Sequence, residues 1–151
     1  MNSTSAVIGA LVLSLVVGGL IAAQPPINAE LARRSSDLAA ALFSVAVSFF
    51  ALAAVFLFLG EFGSLWKIRD APPVYWTGGL LGALFVGVSL VTVRVLGAGA
   101  LTAALISAQL IVAAVLDQLG AFGLDRVSFS GVRIVAVAAL ILGTVLMTVR
   151  L

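Results

Sequence analysis

The sequence predicts an all-α integral membrane protein with five transmembrane helices, and three observations carry that prediction. Of 151 residues, 63% are hydrophobic and only 9% charged, whereas an ordinary soluble domain carries about 25% charged residues. The apolar residues gather into five stretches close to the roughly 20 residues that a helix needs to cross the hydrocarbon core. The connectors between them are short and none approaches domain size, so residues 1–151 are read as a single transmembrane domain.

The same composition narrows the chemistry. Eight Lys and Arg against six Asp and Glu leave a net charge of +2, and no basic patch for nucleic acid is present. With no cysteine, disulfides and thiolate metal sites are excluded; with no histidine, the usual neutral-pH acid–base group and zinc ligand are missing. The chain is therefore read as no enzyme, with no catalytic residue, metal or cofactor. Residues 1–23 end an apolar run in Ile-Ala-Ala, but Met1 to Ser5 carry no Lys or Arg and further spanning segments follow. They are expected to stay as a membrane span and not to be cleaved as a signal peptide.

The first span, about residues 4–34, is overlong and broken by Gln24-Pro25-Pro26-Ile27-Asn28. Each proline removes a backbone N–H and crowds the preceding turn, so the helix is expected to kink there and leave carbonyls free. Gln24 and Asn28, four apart, would project from one face beside those carbonyls. Together they have the donors and acceptors of a binding site. The bland alternative is that the prolines only bend the helix and the amides tie helices together. Glu30 is spaced to pair with Arg34, and Arg33 with Asp37.

The second span, about 38–60, follows Ser35-Ser36-Asp37, which can cap its N-terminus. Its only polar side chains are Ser44 and Ser48, four apart, and each hydroxyl can bond back to its own backbone or across to a neighbour. The connector 61–73 holds Lys67, Arg69 and Asp70, and Trp66, Tyr75 and Trp76 suit the aromatic belt at the headgroups.

The third span, about 74–96, carries Gly78, Gly82, Phe85, Ser89 and Thr92 at helical spacing. Its glycines form a stripe thin enough for another backbone to approach, and are expected to serve helix packing. Gly97-Ala98-Gly99 is read as a tight turn into the fourth span, about 100–119, where Thr102, Gln109, Ala113, Asp117 and Gly120 share a face. Gln109 sits near the centre. Asp117, the only carboxylate well inside an apolar stretch, is a candidate for ion coupling, with an interfacial ion pair near Arg126 as the structural alternative. The fifth span, about 129–150, is mostly apolar beyond Arg133, with Gly143, Thr144 and Thr148 as small or polar breaks, and is read as scaffold or dimer contact.

Five spans place Lys67, Arg69, Arg126 and Arg133 on one side of the membrane and Arg33, Arg34, Arg94 and Arg150 on the other, four against four. Orientation normally follows an excess of Lys and Arg in cytoplasmic connectors, so this tie predicts insertion in both orientations. One gene could then supply both halves of an antiparallel homodimer, a ten-helix bundle with the inverted-repeat symmetry that many transporters build within one chain.

The order of these features resembles the half-length, five-helix (YdcZ-like) branch of the drug/metabolite transporter superfamily. The likeness lies in QPPINAELARR from Gln24 to Arg34, YWTGGLLGA from Tyr75 to Ala83, QLIVAAVLDQLGAFG from Gln109 to Gly123, and the Val-Ser-Phe that opens the fifth span. It implies a dimer or inverted-repeat bundle moving small organic metabolites or drugs across the cell membrane, the bacterial inner membrane. The related four-helix multidrug exporters rely on a glutamate in the first helix; here the comparable region carries Gln24 and Asn28, so proton–cation antiport is not implied. The expected substrate-binding residues are Gln24, Asn28, Gln109 and Ser44 at the symmetry interface. The alternatives are a small dual-topology ion channel, which would show no saturable exchange, and a non-transporting subunit of another membrane complex, which would not form a stable homodimer alone.

Overall fold

The computed structural model describes residues 3–149, and every regular element among them is helical. The helices are α1 (Ser3–Arg33), α2 (Asp37–Leu59), α3 (Phe62–Lys67), α4 (Thr77–Leu96), α5 (Ala98–Leu119) and α6 (Gly131–Thr148). Five are long and apolar enough to cross a membrane, α3 being the exception. Arg150, which closes the expected fifth span and enters the charge tally, lies outside the described residues.

Each boundary has a local cause. α1 runs as one helix through Pro25 and Pro26, so the prolines remove two ladder bonds without ending it. Because they carry no N–H, the carbonyls four residues earlier, on Ile21 and Ala22, lose their amide donors. α2 starts on the expected cap: the Ser36 hydroxyl accepts from the Ala39 amide at 3.2 Å. It ends at Gly60, whose φ of 70° is the left-handed conformation that glycine adopts at little cost. The connector that follows is more ordered than its composition suggests. It folds into α3 and two 3₁₀ turns, Ile68–Asp70 and Pro73–Trp76, with the Trp76 indole donating to the Ile68 carbonyl at 3.3 Å. Trp66, Tyr75 and Trp76 are all exposed, as residues of a headgroup belt should be.

The expected turn Gly97-Ala98-Gly99 contracts to one residue. Gly97 alone leaves the helical region (φ 79°, ψ 163°), and α5 begins at Ala98. Gly99 lies against α6: a Cβ there would be 2.9 Å from Met147 Cε, the movable end of that side chain. α6 is capped by Ser130, whose hydroxyl accepts from the Arg133 amide at 3.3 Å.

Packing gathers the chain into two compact units, Met1–Val95 and Leu96–Leu151. In the first, α1 packs on α2, and Ala32, Ala40 and Leu90 form a small buried cluster flanked by Leu31 and Ala41. Small side chains on both helices let their backbones approach closely. In the second, α5 packs along α6. Elsewhere large apolar side chains point outward, among them Leu15, Phe58 and Val132, the arrangement of helices solvated by lipid tails.

Candidate functional site

Within the first unit, the buried face of α1 runs through Pro25, Asn28, Ala29 and Ala32. Asn28 is only 5% exposed, and its Nδ2 donates to the Ser44 hydroxyl of α2 at 3.1 Å. The sequence left open whether the α2 hydroxyls bond backward or across; the answer is one of each. Ser44 reaches across to Asn28, and Ser48 Oγ donates back to the Ser44 carbonyl at 3.1 Å. Ala29, Ala32 and Ala40, all buried, bring the helices near enough for the short amide to span the gap.

Gln24 lies one turn before Asn28, half-buried, with no hydrogen-bond partner among the described residues. Ile21, a further three residues back, shares the same face at helical spacing, so its donor-less carbonyl adds an acceptor to the stripe. The resulting constellation is an asparagine–serine bond, an open glutamine amide and a carbonyl that Pro25 deprives of its i+4 donor, with no formal charge. At 1.5 Å per residue Asn28 sits about 8 Å inside the Arg33 end of α1, and Ser44 about 10 Å inside the Asp37 end of α2.

Ion pairs crowd that end. Glu30 pairs with Arg33 and also, at 3.7 Å, with Arg34 as its spacing suggests. The expected Arg33–Asp37 pair is not formed; Asp37 pairs with Arg94 of α4 instead. The reason is that α1 stops at Arg33, so Arg33 and Asp37 belong to different helices and the four-residue rule does not apply to them.

The remaining predicted residues take different places. Gln109 on α5 is exposed and without a hydrogen-bond partner among the described residues. Asp117 is a third exposed and pairs with Arg133 Nη1 at 3.1 Å, whereas Arg126, the partner suggested by sequence proximity, turns its Nε toward the Leu119 carbonyl at 3.4 Å. Gly78 and Gly82 have open space beside them, since a Cβ at either would meet nothing within 4 Å; Ser89, farther along that stripe, is buried and donates to the Val86 carbonyl.

One polar cluster escaped the sequence reading. Ser107 of α5, 6% exposed, lies 2.7 Å from the Thr144 hydroxyl of α6 and donates to the Leu140 carbonyl at 3.1 Å. Thr144 Oγ1 is in turn 3.0 Å from the Ala103 carbonyl. The signal was available: two hydroxyl residues inside consecutive apolar spans, Ser107 near the middle of α5 and Thr144 four residues before the end of α6. Their bonds are all satisfied within the helix pair, which marks a clamp and not a solute site.

Neither a curated protein nor a solved structure matches the chain. The model of the family described as "Putative inner membrane exporter, YdcZ" matches residues 9–146, a stretch that takes in the proline-interrupted stripe, three whole spans and most of the first and last. The chain therefore belongs to this exporter family, and is a multi-pass protein of the inner membrane.

Proposed function

We propose that the chain exports a small polar or amphipathic organic molecule, that it works as an antiparallel pair of copies, and that Gln24, Asn28 and Ser44 hold the polar part of the molecule. The observation that supports this most is the buried Asn28–Ser44 bond on the same helix face as a carbonyl stripped of its donor by Pro25. Polar groups inside the hydrocarbon region are tolerated where protein or a wet cavity satisfies them, and interrupted helices are where transporters commonly place their sites.

The chemistry favours a neutral or zwitterionic group over a lone ion. Asn28 Oδ1, the Ser44 hydroxyl proton and the whole Gln24 amide present both donors and acceptors without net charge. Asn28 is closed in this conformation and Gln24 is open, so a solute would be held by Gln24 and would exchange with the Asn28–Ser44 bond. The site is close to one membrane face. In an antiparallel pair the second copy's site would open to the opposite face, supplying access from both sides. Gln109 is a separate candidate contact.

The test is uptake into proteoliposomes of radiolabelled neutral amino acids, polyols and amphipathic amines. Saturable uptake of at least one class is expected, slowed about tenfold in Asn28→Ala, which corresponds to about 1.4 kcal/mol of lost stabilisation, with the dimer fraction by size exclusion unchanged. Wild-type rates in well-folded Asn28→Ala and Gln24→Ala would overturn the site.

A further inference from the structure

The connector end of the α5–α6 hairpin holds a charged pair at the mouth of an apolar cavity, and the transport reading makes no use of it. Asp117 stands two residues before the end of α5 and Arg133 is the third residue of α6, so both lie where helix ends meet headgroups. Their bond joins Arg133 Nη1 to Asp117 Oδ2 at 3.1 Å, and the side chains are 36% and 33% exposed. That bond uses one oxygen of the carboxylate and one nitrogen of the guanidinium, and both side chains keep about a third of their surface exposed. Below them a cavity of about 160 Å³ runs toward the bilayer interior between Leu110, Ala113 and Ala114 of α5 and Ala136 and Val137 of α6. Alanines on both helices make the room.

We infer that this cavity is a seat for a phospholipid with a phosphoethanolamine headgroup: Arg133 takes the phosphate, Asp117 the ammonium, and the alanine-lined cavity the first part of an acyl chain. Three features select that occupant. An acid and a base held side by side match a headgroup that carries both charges, whereas an anionic headgroup would gain Arg133 and be repelled by Asp117. The segment 117–133 holds Asp117, Asp125, Arg126 and Arg133, two of each sign, so no net positive charge draws anionic lipid there. A primary ammonium can donate hydrogen bonds to a carboxylate, which a quaternary choline cannot, and charge-assisted bonds are the stronger kind.

The pair is also held in place by the backbone. The Asp117 carbonyl accepts from the amides of Gly120 and Val127, and Gln118 Oε1 accepts from the Phe129 amide at 2.8 Å. These bonds fold the connector back over the end of α5. The charges therefore face lipid from a fixed frame, and a bound headgroup does not have to order it.

The test is native mass spectrometry of the purified full chain titrated with dioleoyl phosphatidylethanolamine, phosphatidylcholine and phosphatidylglycerol. Phosphatidylethanolamine is expected to bind about fivefold more tightly than either of the others. Asp117→Asn should abolish its advantage over phosphatidylcholine and raise phosphatidylglycerol binding, and Arg133→Gln should weaken all three. The double exchange Asp117→Arg with Arg133→Asp keeps a pair across the hairpin and guards against misfolding; it should retain the phosphatidylethanolamine preference. Equal binding of the three lipids by the wild type, or a preference that survives both single substitutions in folded protein, would overturn the seat. Displacement of the lipid by millimolar soluble phosphoethanolamine would overturn it too, by showing that a free zwitterion suffices.

Discussion

Asn28 and Gln109 are both amides in apolar helices, yet their surroundings give them opposite expected behaviour. Asn28 has a partner in Ser44, so Ser44→Ala should lower stability slightly, because interhelical hydrogen bonds in membranes average about 0.6 kcal/mol. Its effect on uptake should be larger than its effect on thermal unfolding, since the hydroxyl would also meet the solute. Gln109 lacks any such partner among the described residues, so Gln109→Ala should leave the melting temperature unchanged and slow uptake only if the amide contacts the solute; melting curves and uptake rates on the same preparation check both. At this scale the sequence read well where spacing along one helix supplied the signal, as in the four-residue pair Glu30 and Arg34. Gln24 and Asn28 stood out as amides beside prolines, and their role toward a solute is the proposal made above. Pairs between helices were not legible: Asp37 with Arg94 and Asp117 with Arg133 are set by where α1 and α5 end, not by spacing along the chain.

Among the elements, α5 and α6 are the most firmly tied. The Ser107–Thr144 cluster ties the middle of α5 to the later part of α6, and the Asp117–Arg133 pair ties the connector end. Replacing both hydroxyls, Ser107→Ala with Thr144→Val, should cost about 1–2 kcal/mol, near the upper range of measured membrane hydrogen bonds, and should appear as a lower thermal midpoint in detergent. α4 presents the opposite case, with open space at Gly78 and Gly82. If a second copy packs on that face, Gly82→Leu should weaken dimer formation while leaving the monomer's helix content intact by circular dichroism; an unchanged dimer fraction would assign the face to lipid. The five spans were readable because length and apolarity alone decide them. The order within the 61–76 connector was not, because short helices there depend on tertiary bonds such as Trp76 to Ile68. The α4–α5 turn was overestimated because glycine content at 97–99 reads as a loop, while only Gly97 leaves the helical region and Gly99 lies inside α5.

For the whole molecule, membership of the exporter family and five membrane-length helices describe one half of the proposed machine. In the proposed antiparallel pair a second copy would supply the other half: a tie of four cationic residues on each side would give the insertion machinery no preferred direction, and the Asn28–Ser44 site of one copy would then face opposite to that of the next. Adding three lysines to the 61–73 connector should drive every copy into one orientation and abolish uptake, while mixing that variant with one biased the other way should restore it. The measurement that bears most directly on the antiparallel pair uses the absence of native cysteine. Ser35→Cys and Ser64→Cys place single thiols at exposed positions on opposite sides, and an impermeant maleimide is applied to intact, sealed cells or vesicles. Partial labelling at both positions, with the two fractions summing to about one, is the predicted result; complete labelling at one position and complete protection at the other would contradict it.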